Sequence, residues 1–546
     1  YTSVLEDYVD KVLDIWTDAG RMVRPLVNYQ QLLANAERFA ALMGSLPTRG
    51  EAADSPVVRE LLSIGVIEYL DVNELNNCNV AFSLQEISER TTHVELGYNV
   101  ILGIISGMIP FPHHNQSPRN TYQCAMGKQA LGIVGLNVHN RVDTVGYHLI
   151  YPQKPLVTTS TIRLTGYEQL GAGINATIAI MSFSGYDIED AVVMSKGAIE
   201  RGFGRTVVTK KVVVQFERGM DSPGDVLLPA DGLLDGIADV GSRVEKGEIL
   251  VNKHIGVSDK EASARPERHK GKGPARVERV LLTSSGNNYM VVKMALSKMR
   301  TPEIGDKFSS RHGQKGVMGI RIAQSDLPFS ETGWIPDIIM NPHGFPSRMT
   351  VGKLLELISS KAAALQAKIL FGNAFDDKMP VNRHTNIVKD MGDVLLQHGY
   401  SYEGTEALIS GSTGEYVKSF VFAGPVYYQR LKHMVEDKIH ARASGKKTFL
   451  TRQPLEGRAK EGGLRLGEME RDCLLAYGAS EILIERFLLA SDEYHCPVCE
   501  ACGGISCDGT CGKVRAKVRK VRMPYPTKLL MQELISMNIR PKIKLK

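Results

Sequence analysis

Residues 176–191 read Ala-Thr-Ile-Ala-Ile-Met-Ser-Phe-Ser-Gly-Tyr-Asp-Ile-Glu-Asp-Ala, an apolar, β-branched run that leads into a polar turn. This pattern is typical of a buried strand that ends at a functional loop. Further strand-like segments occupy residues 157–164, 206–216 and 289–296, and helical spacing occurs at 352–370, 428–442 and 467–489. The mixture predicts an α+β protein of several domains.

The composition of the 546-residue chain excludes wholesale disorder, because 43% of its residues are hydrophobic and 23% are charged. No apolar run reaches the roughly 20 residues that a membrane helix needs, so we expect no membrane partner. The chain begins with Tyr1 in a polar, acidic stretch, which resembles neither a signal peptide nor a translation start. We therefore expect a piece of a longer or processed polypeptide.

Positive charge is concentrated near the C-terminus. Between Lys438 and Arg465, eight basic residues stand against two acidic ones, and between Lys513 and Lys546, eleven stand against one. The net charges of these segments are +6 and +10, which leaves −10 for the rest of a chain whose total is +6. Such runs are expected where a polyanion binds, although a solvated basic surface is the alternative for either run alone.

Five of the eight cysteines lie close together, at positions 496, 499, 502, 507 and 511. A CxxC turn presents two thiolates to one side of an ion, and Zn²⁺ takes four such ligands at tetrahedral angles. We favour Cys499, Cys502, Cys507 and Cys511 as the ligands, with Cys496 as a substitute. The alternative, a redox CxxC, lacks the strand–helix context that such motifs have.

Three glycine- or proline-containing loops carry basic side chains that can approach phosphate closely: residues 116–120, 305–315 and 345–348. Each loop alone is equally compatible with a turn that bears a solvated charge. Glu189 and Asp190 follow the strand at 176–182, and in an extended segment their side chains would point to opposite faces. They are therefore a poor pair for acid–base catalysis, but one of them could face a metal ion.

Seven motifs, in this order along the chain, resemble the second-largest subunit of multisubunit RNA polymerases. They are His114-Asn-Gln-Ser-Pro-Arg-Asn-Thr-Tyr122, Met126-Gly-Lys-Gln129, Gly185-Tyr-Asp-Ile-Glu-Asp190, Gly305-Asp-Lys-Phe-Ser-Ser-Arg-His-Gly-Gln-Lys-Gly316, Met340-Asn-Pro-His-Gly-Phe-Pro-Ser-Arg-Met349, His433-Met-Val-Glu-Asp-Lys-Ile-His-Ala-Arg442 and Gly463-Leu-Arg-Leu-Gly-Glu-Met-Glu-Arg-Asp472.

Within the family, His113-His114, Cys124 and Tyr69-Leu-Asp-Val-Asn73 resemble the RNA polymerase III form, since the polymerase II and archaeal forms usually carry an acid at the position of His113. A polymerase II-like, archaeal or viral counterpart is the alternative within the family. A non-catalytic nucleic-acid-binding scaffold is the alternative from another class. Intact Arg119, Asp190, Lys307 and Arg348 argue against the scaffold.

The resemblance implies the C-terminal half of a subunit, with a β-rich wall, a double-psi β-barrel in the hybrid-binding region, interspersed helices and a C-terminal clamp segment with a zinc knuckle. The implied domains are part of the external region (1–75), its end and the start of the hybrid-binding region (76–150), the first part of the barrel (151–216), a wall-like insertion (217–290), the second part of the barrel with a switch-like basic loop (291–465), and the anchor and clamp segment (466–546).

The resemblance also implies roles for individual residues in a DNA-directed RNA polymerase. Arg119 and Arg348 would contact the phosphates of the incoming nucleotide, and Glu189 and Asp190 would lie near the magnesium ion that the nucleotide carries. Lys307, Lys315 and Arg300 would line the active centre. Lys128 and Gln129 would touch the RNA of the hybrid, and the basic loop would follow the hybrid and template backbones with Lys438, Arg442, Arg452, Arg458 and Arg465.

Two differences from the family pattern bear on metals. The zinc site of the family uses two CxxC pairs, whereas the second pair here is Cys507 and Cys511 in another spacing. The magnesium-binding aspartate loop of the family belongs to the largest subunit, so Mg²⁺ would be held mainly there and by the nucleotide. The implied partners are the largest subunit, smaller assembly subunits, template DNA, nascent RNA and nucleoside triphosphates, and the implied location is the nucleus.

Overall fold

The computed structural model describes residues 2–7, 11–44, 56–97, 100–217, 224–230, 232–255, 263–286, 289–375, 387–505, 510–511, 514–515 and 517–545. The chain forms two compact units, Tyr1–Val435 and Glu436–Lys546.

The first unit begins with short strands and helices. They are β1 (Ser3–Asp7), β2 (Val12–Trp16), β3 (Val23–Asn28), α1 (Tyr29–Ala34), α2 (Ala36–Gly44), α3 (Pro56–Ser63), β4 (Ile67–Asp71), α4 (Val72–Asn76), β5 (Val80–Ala81) and β6 (His93–Val94). β1 and β2 pair with each other, and the other strands form a sheet in the order β4-β3-β6-β5. Val57, Leu61 and Val66 form the small core beside this sheet.

The rest of the first unit contains the longer strands. Its elements are α5 (Ile104–Gly107), α6 (Ser117–Gly127), β7 (Val145–Leu149), β8 (Val157–Thr158), α7 (Ser160–Leu164), β9 (Ile174–Ile180), β10 (Ala191–Ser195), α8 (Lys196–Glu200), β11 (Thr206–Gln215), β12 (Val226–Leu227), β13 (Arg243–Val244), β14 (Ile249–Val251), β15 (Lys253–Ile255), β16 (Ser263–Ala264), β17 (Glu267–Arg268), β18 (Ala275–Ser284), β19 (Met290–Arg300), β20 (Lys307–Ser310), β21 (Lys315–Ile322), β22 (Phe329–Ser330), β23 (Ile338–Met340), α9 (Val351–Gln366), β24 (Leu370–Phe371), α10 (Ile387–Gln397), β25 (Thr405–Ile409) and β26 (Tyr416–Arg430).

Six of these strands close into a barrel. They are hydrogen-bonded in the order β20-β21-β10-β23-β9-β26, and β26 pairs again with β20. The pairs β10–β21 and β9–β23 are parallel, while the other four are antiparallel. β25 and β22 extend the sheet beyond β26. Closure satisfies the backbone groups that an open sheet would leave at its edges.

The barrel is filled by apolar side chains from every strand, and α9 covers one side of it. Ile178, Met194, Phe308 and Val426 are almost completely buried in this core, where Leu357 of α9 packs against them. Alternate residues of each strand point inward, which explains why the apolar residues recur with a period of two. The strand predicted at 176–182 is confirmed, and it begins two residues earlier, at Ile174.

A five-stranded antiparallel sheet in the order β13-β18-β19-β11-β7 adjoins the barrel in sequence. β11 and β19 pair over ten residues, from Thr206 opposite Arg300 to Gln215 opposite Val291. A separate core that includes Val277, Val292 and Met294 lies on this sheet. The strands predicted at 206–216 and 289–296 are confirmed, and the second extends to Arg300.

The second unit is smaller and begins within α11 (Val435–Lys438). A loop that spans 439–467 leads to α12 (Glu468–Tyr477), α13 (Ser480–Ile484) and a single π-helical turn at Glu485–Leu489. The last elements are β27 (Glu493–Cys499), β28 (Thr510–Cys511), β29 (Val514–Arg515), β30 (Val518–Pro524) and α14 (Tyr525–Ser536). Most of the stretch predicted as helical at 467–489 is helical, but Gly478 in the left-handed region (φ 76°) divides it.

Three sequence-based predictions of local structure are wrong or too long. Residues 157–164 form a strand only at Val157–Thr158, because the Thr159 side chain accepts a hydrogen bond from the Ile162 amide and starts a helix. The helix predicted at 428–442 forms only at Val435–Lys438, and residues 428–430 instead end β26, where they pair with β20 and close the barrel. The helix predicted at 352–370 ends at Gln366, before Ala367 in the left-handed region (φ 51°).

Among the described residues, no helix is both long and apolar enough to span a membrane.

Candidate active site

The hairpin β20–β21 forms one side of the candidate site. Lys307 pairs with Val317 and Ser309 pairs with Lys315, so both lysines belong to the same two-stranded ribbon. On the other side of β20, the amide of Leu431 donates to the Lys307 carbonyl at 2.9 Å. Lys307 is half-buried and Lys315 is exposed. The barrel thus fixes the backbone beneath both ammonium groups.

Asp190 and Arg348 form an ion pair beside this hairpin, although 158 positions separate them in the sequence. Arg348 Nη2 donates to Asp190 Oδ2, and both side chains are partly exposed. Glu189 and Asp190 lie in a 3₁₀ turn with positive φ angles of 51° and 76°, so the extended segment predicted for them is wrong. The tight turn is possible because Gly316 has no side chain: a Cβ there would lie 2.5 Å from the Asp190 carbonyl oxygen.

These residues surround a pocket of about 280 Å³. Its rim carries two acids and two bases, and its floor is formed by Gln314, Met340 and Tyr428. The charged residues at the rim are Glu189, Asp190, Lys315 and Arg348. A carboxylate that is already paired with an arginine and lies beside a lysine can accept a ligand that brings a cation together with an anion, as a metal–phosphate complex does.

Arg119 is not one of the residues that line the pocket, but its backbone contacts the turn of the hairpin beside it. It lies on α6, and the Gln116 amide just before that helix donates to the carbonyl of Met349 at 3.3 Å. The Arg119 carbonyl packs against Gly313 in the turn of the hairpin, where a Cβ would come within 2.5 Å of it. The Arg119 guanidinium lies 5.2 Å from the centre of the Tyr122 ring.

Asn115 ties three elements of the site together, and sequence reasoning did not single it out. Its Nδ2 donates to Asn120 Oδ1 at 3.2 Å and to His312 Nδ1 at 3.1 Å, while its Oδ1 accepts from the amide of Gly352 at 3.0 Å. It therefore links α6, the hairpin turn and the start of α9. In the sequence, only the position of Asn115 inside the motif at 114–122 indicates that it could belong to the site.

Lys128 and Gln129 follow α6 and lie next to the backbone that pairs with Lys307. Gln129 Oε1 is 2.9 Å from His433 Nε2, and the Gln129 carbonyl accepts from the amide of Lys432 at 3.0 Å. Lys128 is exposed. Both residues therefore belong to the same neighbourhood of the barrel as Lys307.

Arg300 lies apart from the pocket. It is 7% exposed at the end of β19, and its Nη1 is 3.6 Å from Met434 Sδ. It is not one of the residues that line the pocket. Its placement is that of a packed residue at the foot of the hairpin.

A buried ionic network that the sequence analysis missed lies behind the site. Glu356 of α9 is fully buried and accepts from Arg311 Nη2 at 2.7 Å, from His312 Nε2, and from the Tyr427 amide at 3.2 Å. Burial alone would raise the pKa of Glu356, but the Arg311 charge and the His312 hydrogen bond lower it to about 2. Burial lowers the pKa of His312, against the pull of Glu356.

The signal for this network was visible in the sequence. Lys353, Glu356 and Lys361 interrupt the otherwise apolar text of α9 at helical spacing, and all three are buried. Buried charges need polar partners: Glu356 and Lys361 have ion pairs, whereas Lys353 has uncharged partners.

The basic loop of the second unit is closed by its own arginines. Arg442 donates to the carbonyls of Glu461 at 2.7 Å and Lys446 at 3.0 Å, and Arg458 donates to the carbonyl of Glu436 at 2.8 Å. The Arg452 guanidinium stacks 4.2 Å from the centre of the Tyr525 ring. Lys438 and Arg465 are exposed.

Two of the predicted zinc ligands form a compact turn. The Gly503 amide donates to the Cys499 carbonyl at 2.9 Å, and the Cys499 amide donates to the Gly504 carbonyl at 3.0 Å. Cys499 is buried and Cys502 is partly buried, and the two thiols of this turn fit one half of a knuckle. Cys507 lies outside the described residues, and Cys511 is described only as part of β28.

Cys496 lies in a different environment. It is buried in β27 and packs in an apolar cluster with Val498 and Met523. Within the part of the chain that the structure describes, no three His, Cys, Asp or Glu side chains converge as a metal site. Glu189 and Asp190 are therefore too few to form a complete metal site, and they could offer a magnesium ion only part of its coordination shell.

Three family models match the chain over most of its length. RNA polymerase Rpb2, domain 5, matches residues 59–99; domain 6 matches 105–460; and domain 7 matches 462–546.

Curated relatives match the entire chain. This chain is 44% identical to DNA-directed RNA polymerase III subunit RPC2 of Saccharomyces cerevisiae, over 100% of this chain and 48% of the relative. It is 45% identical to the protein of the same name from Drosophila melanogaster, over 100% of this chain and 49% of the relative. It is 40% identical to DNA-directed RNA polymerase II subunit 2 of Arabidopsis thaliana, over 99% of this chain and 48% of the relative. The chain thus spans about half the length of the curated relatives it matches.

Because one domain model alone covers residues 105–460 and the identity extends over the whole chain, this protein belongs to the Rpb2 family of second-largest subunits of DNA-directed RNA polymerases, and it is more similar to the polymerase III members than to the polymerase II member compared.

Proposed function

We propose that this chain supplies the cationic part of the active centre of a DNA-directed RNA polymerase, of the polymerase III class, in the nucleus. The observation that carries the proposal is the pocket lined by Asp190, Arg348 and Lys315, since Lys315 lies on the same hairpin as Lys307. These residues come from three distant parts of the sequence, and a closed barrel holds them together. A scaffold that only bound nucleic acid would need no such convergence.

The chemistry is an in-line attack of the RNA 3′ hydroxyl on the α-phosphate of a nucleoside triphosphate. Two Mg²⁺ ions, held mainly by the largest subunit and the nucleotide, would orient the attacking and leaving oxygens. In this chain, Arg348 and Arg119 bind the triphosphate, and Lys307 and Lys315 neutralise charge as pyrophosphate forms. Asp190, more than Glu189, faces the metal that accompanies the nucleotide. Arg300, which packs against Met434 outside the pocket, has no assigned contact to the nucleotide.

Template DNA and nascent RNA are the proposed macromolecular ligands. Lys128 and Gln129, next to the backbone partner of Lys307, contact the RNA strand, and the loop with Lys438, Arg442, Arg452, Arg458 and Arg465 follows the hybrid and template. Contacts to phosphate and sugar are required here, because a polymerase must accept every sequence. The largest subunit and smaller assembly subunits complete the enzyme.

The domain boundaries that the resemblance implies are also part of the proposal. The closed six-stranded ring supports a double-psi β-barrel in the hybrid-binding region, and the long antiparallel sheet of β11, β18 and β19 supports a wall-like insertion. The turn at Cys499 and Cys502 supports a zinc knuckle completed by Cys507 and Cys511 in the clamp segment.

The test is the substitution Lys307→Ala in the full-length subunit, assembled into the complete polymerase. Loss of one preorganised cation from an active centre typically costs about 100-fold in rate. We expect single-nucleotide addition to slow by about that factor while assembly is unchanged. Lys246→Ala, an exposed lysine in a turn of the wall-like insertion, is the matched control and should add nucleotides at the wild-type rate. Unchanged elongation by the Lys307 variant would remove the assigned role and favour the scaffold.

A further inference from the structure

Lys353 lies directly beneath the pocket and has no part in the chemistry proposed for the other residues. It is a fully buried residue of α9, and its Nζ lies 3.0 Å from Gln314 Oε1, 3.2 Å from the Tyr428 hydroxyl and 2.8 Å from Met340 Sδ. These three contact residues are the ones that form the floor of the pocket. The Lys353 ammonium group therefore contacts three separate elements on the buried side of the pocket: the hairpin turn, β23 and β26.

The contact extends to the loop that carries Arg348. Gln314 accepts from Lys353 with its oxygen and uses its Nε2 to donate to the Gly344 carbonyl at 3.2 Å and to the Thr350 hydroxyl. The Lys353 ammonium also lies 5.6 Å from the centre of the Phe345 ring and 5.1 Å from that of Tyr428. The loop at 341–349 is thus anchored at both ends to one buried charge.

The groups that face Lys353 leave its charge without a close counter-ion. Glu356 lies one turn along the same helix, but its oxygens are taken by Arg311, His312 and the Tyr427 amide. Arg348 above adds positive charge, whereas burial lowers the pKa of His312 and so favours its neutral form, and the Tyr428 hydroxyl is neutral. Among the described residues, no carboxylate lies within ion-pair distance of the Lys353 ammonium.

A buried charge with neutral contacts is costly unless something compensates for it. An anion bound in the pocket above would do so, because electrostatic attraction across a few ångströms of protein interior is far stronger than in water. Resting on the proposed function, we propose that Lys353 is a positioning residue that holds the pocket floor and adds a positive charge beneath a bound nucleoside triphosphate.

Nucleotide binding should depend on pH, because the ammonium group of Lys353 is buried. Burial lowers the pKa of Lys353 to about 7; Glu356 acts against this shift, and Arg348 acts with it. An anion in the pocket favours the charged form, so binding takes up a proton. Nucleotide affinity should therefore weaken as pH rises through 7.

The experiment measures the apparent KM for a nucleoside triphosphate and the kcat of single-nucleotide addition between pH 6.5 and 8.5. It uses complete polymerase that contains the full-length subunit as wild type, Lys353→Met or Lys353→Arg. We expect the KM of the Met variant to exceed the wild-type value about tenfold at pH 6.5, and the ratio to fall several-fold by pH 8.5. The Arg variant stays charged, so its KM should lack the rise with pH. Ratios to wild type cancel the titration of the triphosphate itself.

A Met-to-wild-type KM ratio that does not change with pH would overturn the inference, as would a loss of kcat at unchanged KM. If the Met variant does not assemble, the Arg variant tests the inference alone. A KM of the Arg variant that rises with pH as the wild-type KM does would overturn it. Lys307→Ala in the same assay separates the two proposals: if it slows addition while the Lys353 variants behave as wild type, only the inference about Lys353 fails.

Discussion

At the scale of single residues, Glu356 is the side chain on which the site depends most. One carboxylate, completely buried, accepts hydrogen bonds from Arg311 and His312 of the hairpin turn and from the backbone of β26. Neither the hairpin turn nor the strand can shift without leaving a charge unpaired in the interior. Removing one partner from such a buried pair typically costs about 3–5 kcal/mol.

We therefore predict that Glu356→Gln lowers the free energy of unfolding by about 3–5 kcal/mol, because Arg311 loses its counter-ion. The stabilisation also depends on pH. Since the folded-state pKa of Glu356 is about 2 and its ordinary value is 4.5, the contribution is present above pH 4.5 and is lost as pH falls toward 2. Thermal unfolding of the polymerase that contains the variant subunit measures the effect.

Glu403→Gln, an exposed acid in the same unit, is the control and should leave the unfolding temperature within a degree or so of wild type. An equal shift for both variants would contradict the buried network.

The candidate residues illustrate what a sequence can predict about a site. Arg348, Asp190 and Lys307 were assigned roles through the motifs that resemble the family, and the structure brings Arg348 and Asp190 to one pocket and Lys307 to its hairpin. Lys353 and Glu356 are visible in the sequence only as charges within the apolar text of α9, and what they hold depends on contacts across the fold. The positive φ angles at Glu189 and Asp190 also result from tertiary packing against Gly316, which no local pattern reports.

At the scale of elements, the turn of the β20–β21 hairpin is the joint between Arg119 and the barrel. Gly313 has a φ of +71°, and a Cβ added there would lie 2.5 Å from the Arg119 carbonyl oxygen. Gly414 has nearly the same φ, +74°, but a Cβ there would meet no atom within 4 Å. A substitution at Gly414 would therefore introduce backbone strain alone, whereas one at Gly313 would introduce strain and a steric clash with Arg119.

We predict that Gly414→Ala costs about 1–2 kcal/mol of stability, the strain of the left-handed region, and leaves nucleotide addition unchanged. Gly313→Ala should cost more and should also slow nucleotide addition, because Arg119 must move away. Unfolding temperature and single-nucleotide addition, measured for both variants in the complete polymerase, test this. Equal activity of the two variants would contradict the role of the hairpin turn in placing Arg119.

The elements also show where local pattern fails. The helical spacing at 428–442 corresponds to a helix only at Val435–Lys438. Residues 428–430 belong to a 15-residue strand, because Tyr428 and Arg430 pair with β20 and close the barrel. Strands such as β9 and β11 could be predicted, since their β-branched residues match what a buried sheet requires. The closure of the barrel depends on pairing between positions more than 100 residues apart, and such pairing leaves no trace in local sequence.

At the scale of the whole molecule, the two units differ in charge. Residues 436–546 carry 21 basic and 14 acidic residues, which is a net charge of +7 in a chain whose total is +6. The first unit is therefore close to neutral, and the cations proposed for the active centre are single residues on or beside the barrel. The second unit has diffuse positive charge, which is what the proposed binding of a nucleic acid backbone irrespective of sequence would require.

The two units differ as well in how they are stabilised. The first contains several large apolar cores, whereas the strand pair β27–β30 in the second rests on a small cluster around Cys496, Val498 and Met523. Modules with so little core usually need a metal or a cross-link to fold. The turn at Cys499 and Cys502 therefore has a structural task that zinc would fulfil.

We predict about one zinc ion per chain in freshly purified wild-type protein, and its loss when Cys499 and Cys502 are both replaced by serine. Because zinc binding and folding are coupled in small metal modules, the double variant should also unfold at a lower temperature. Cys473→Ser, an exposed thiol on α12, should retain the metal, and so should Cys496→Ser if Cys496 serves the apolar cluster and not the ion. Metal analysis that finds no zinc in the wild type would reject the knuckle, and zinc lost from the Cys496 variant would move the ligand set from the second cysteine pair toward β27.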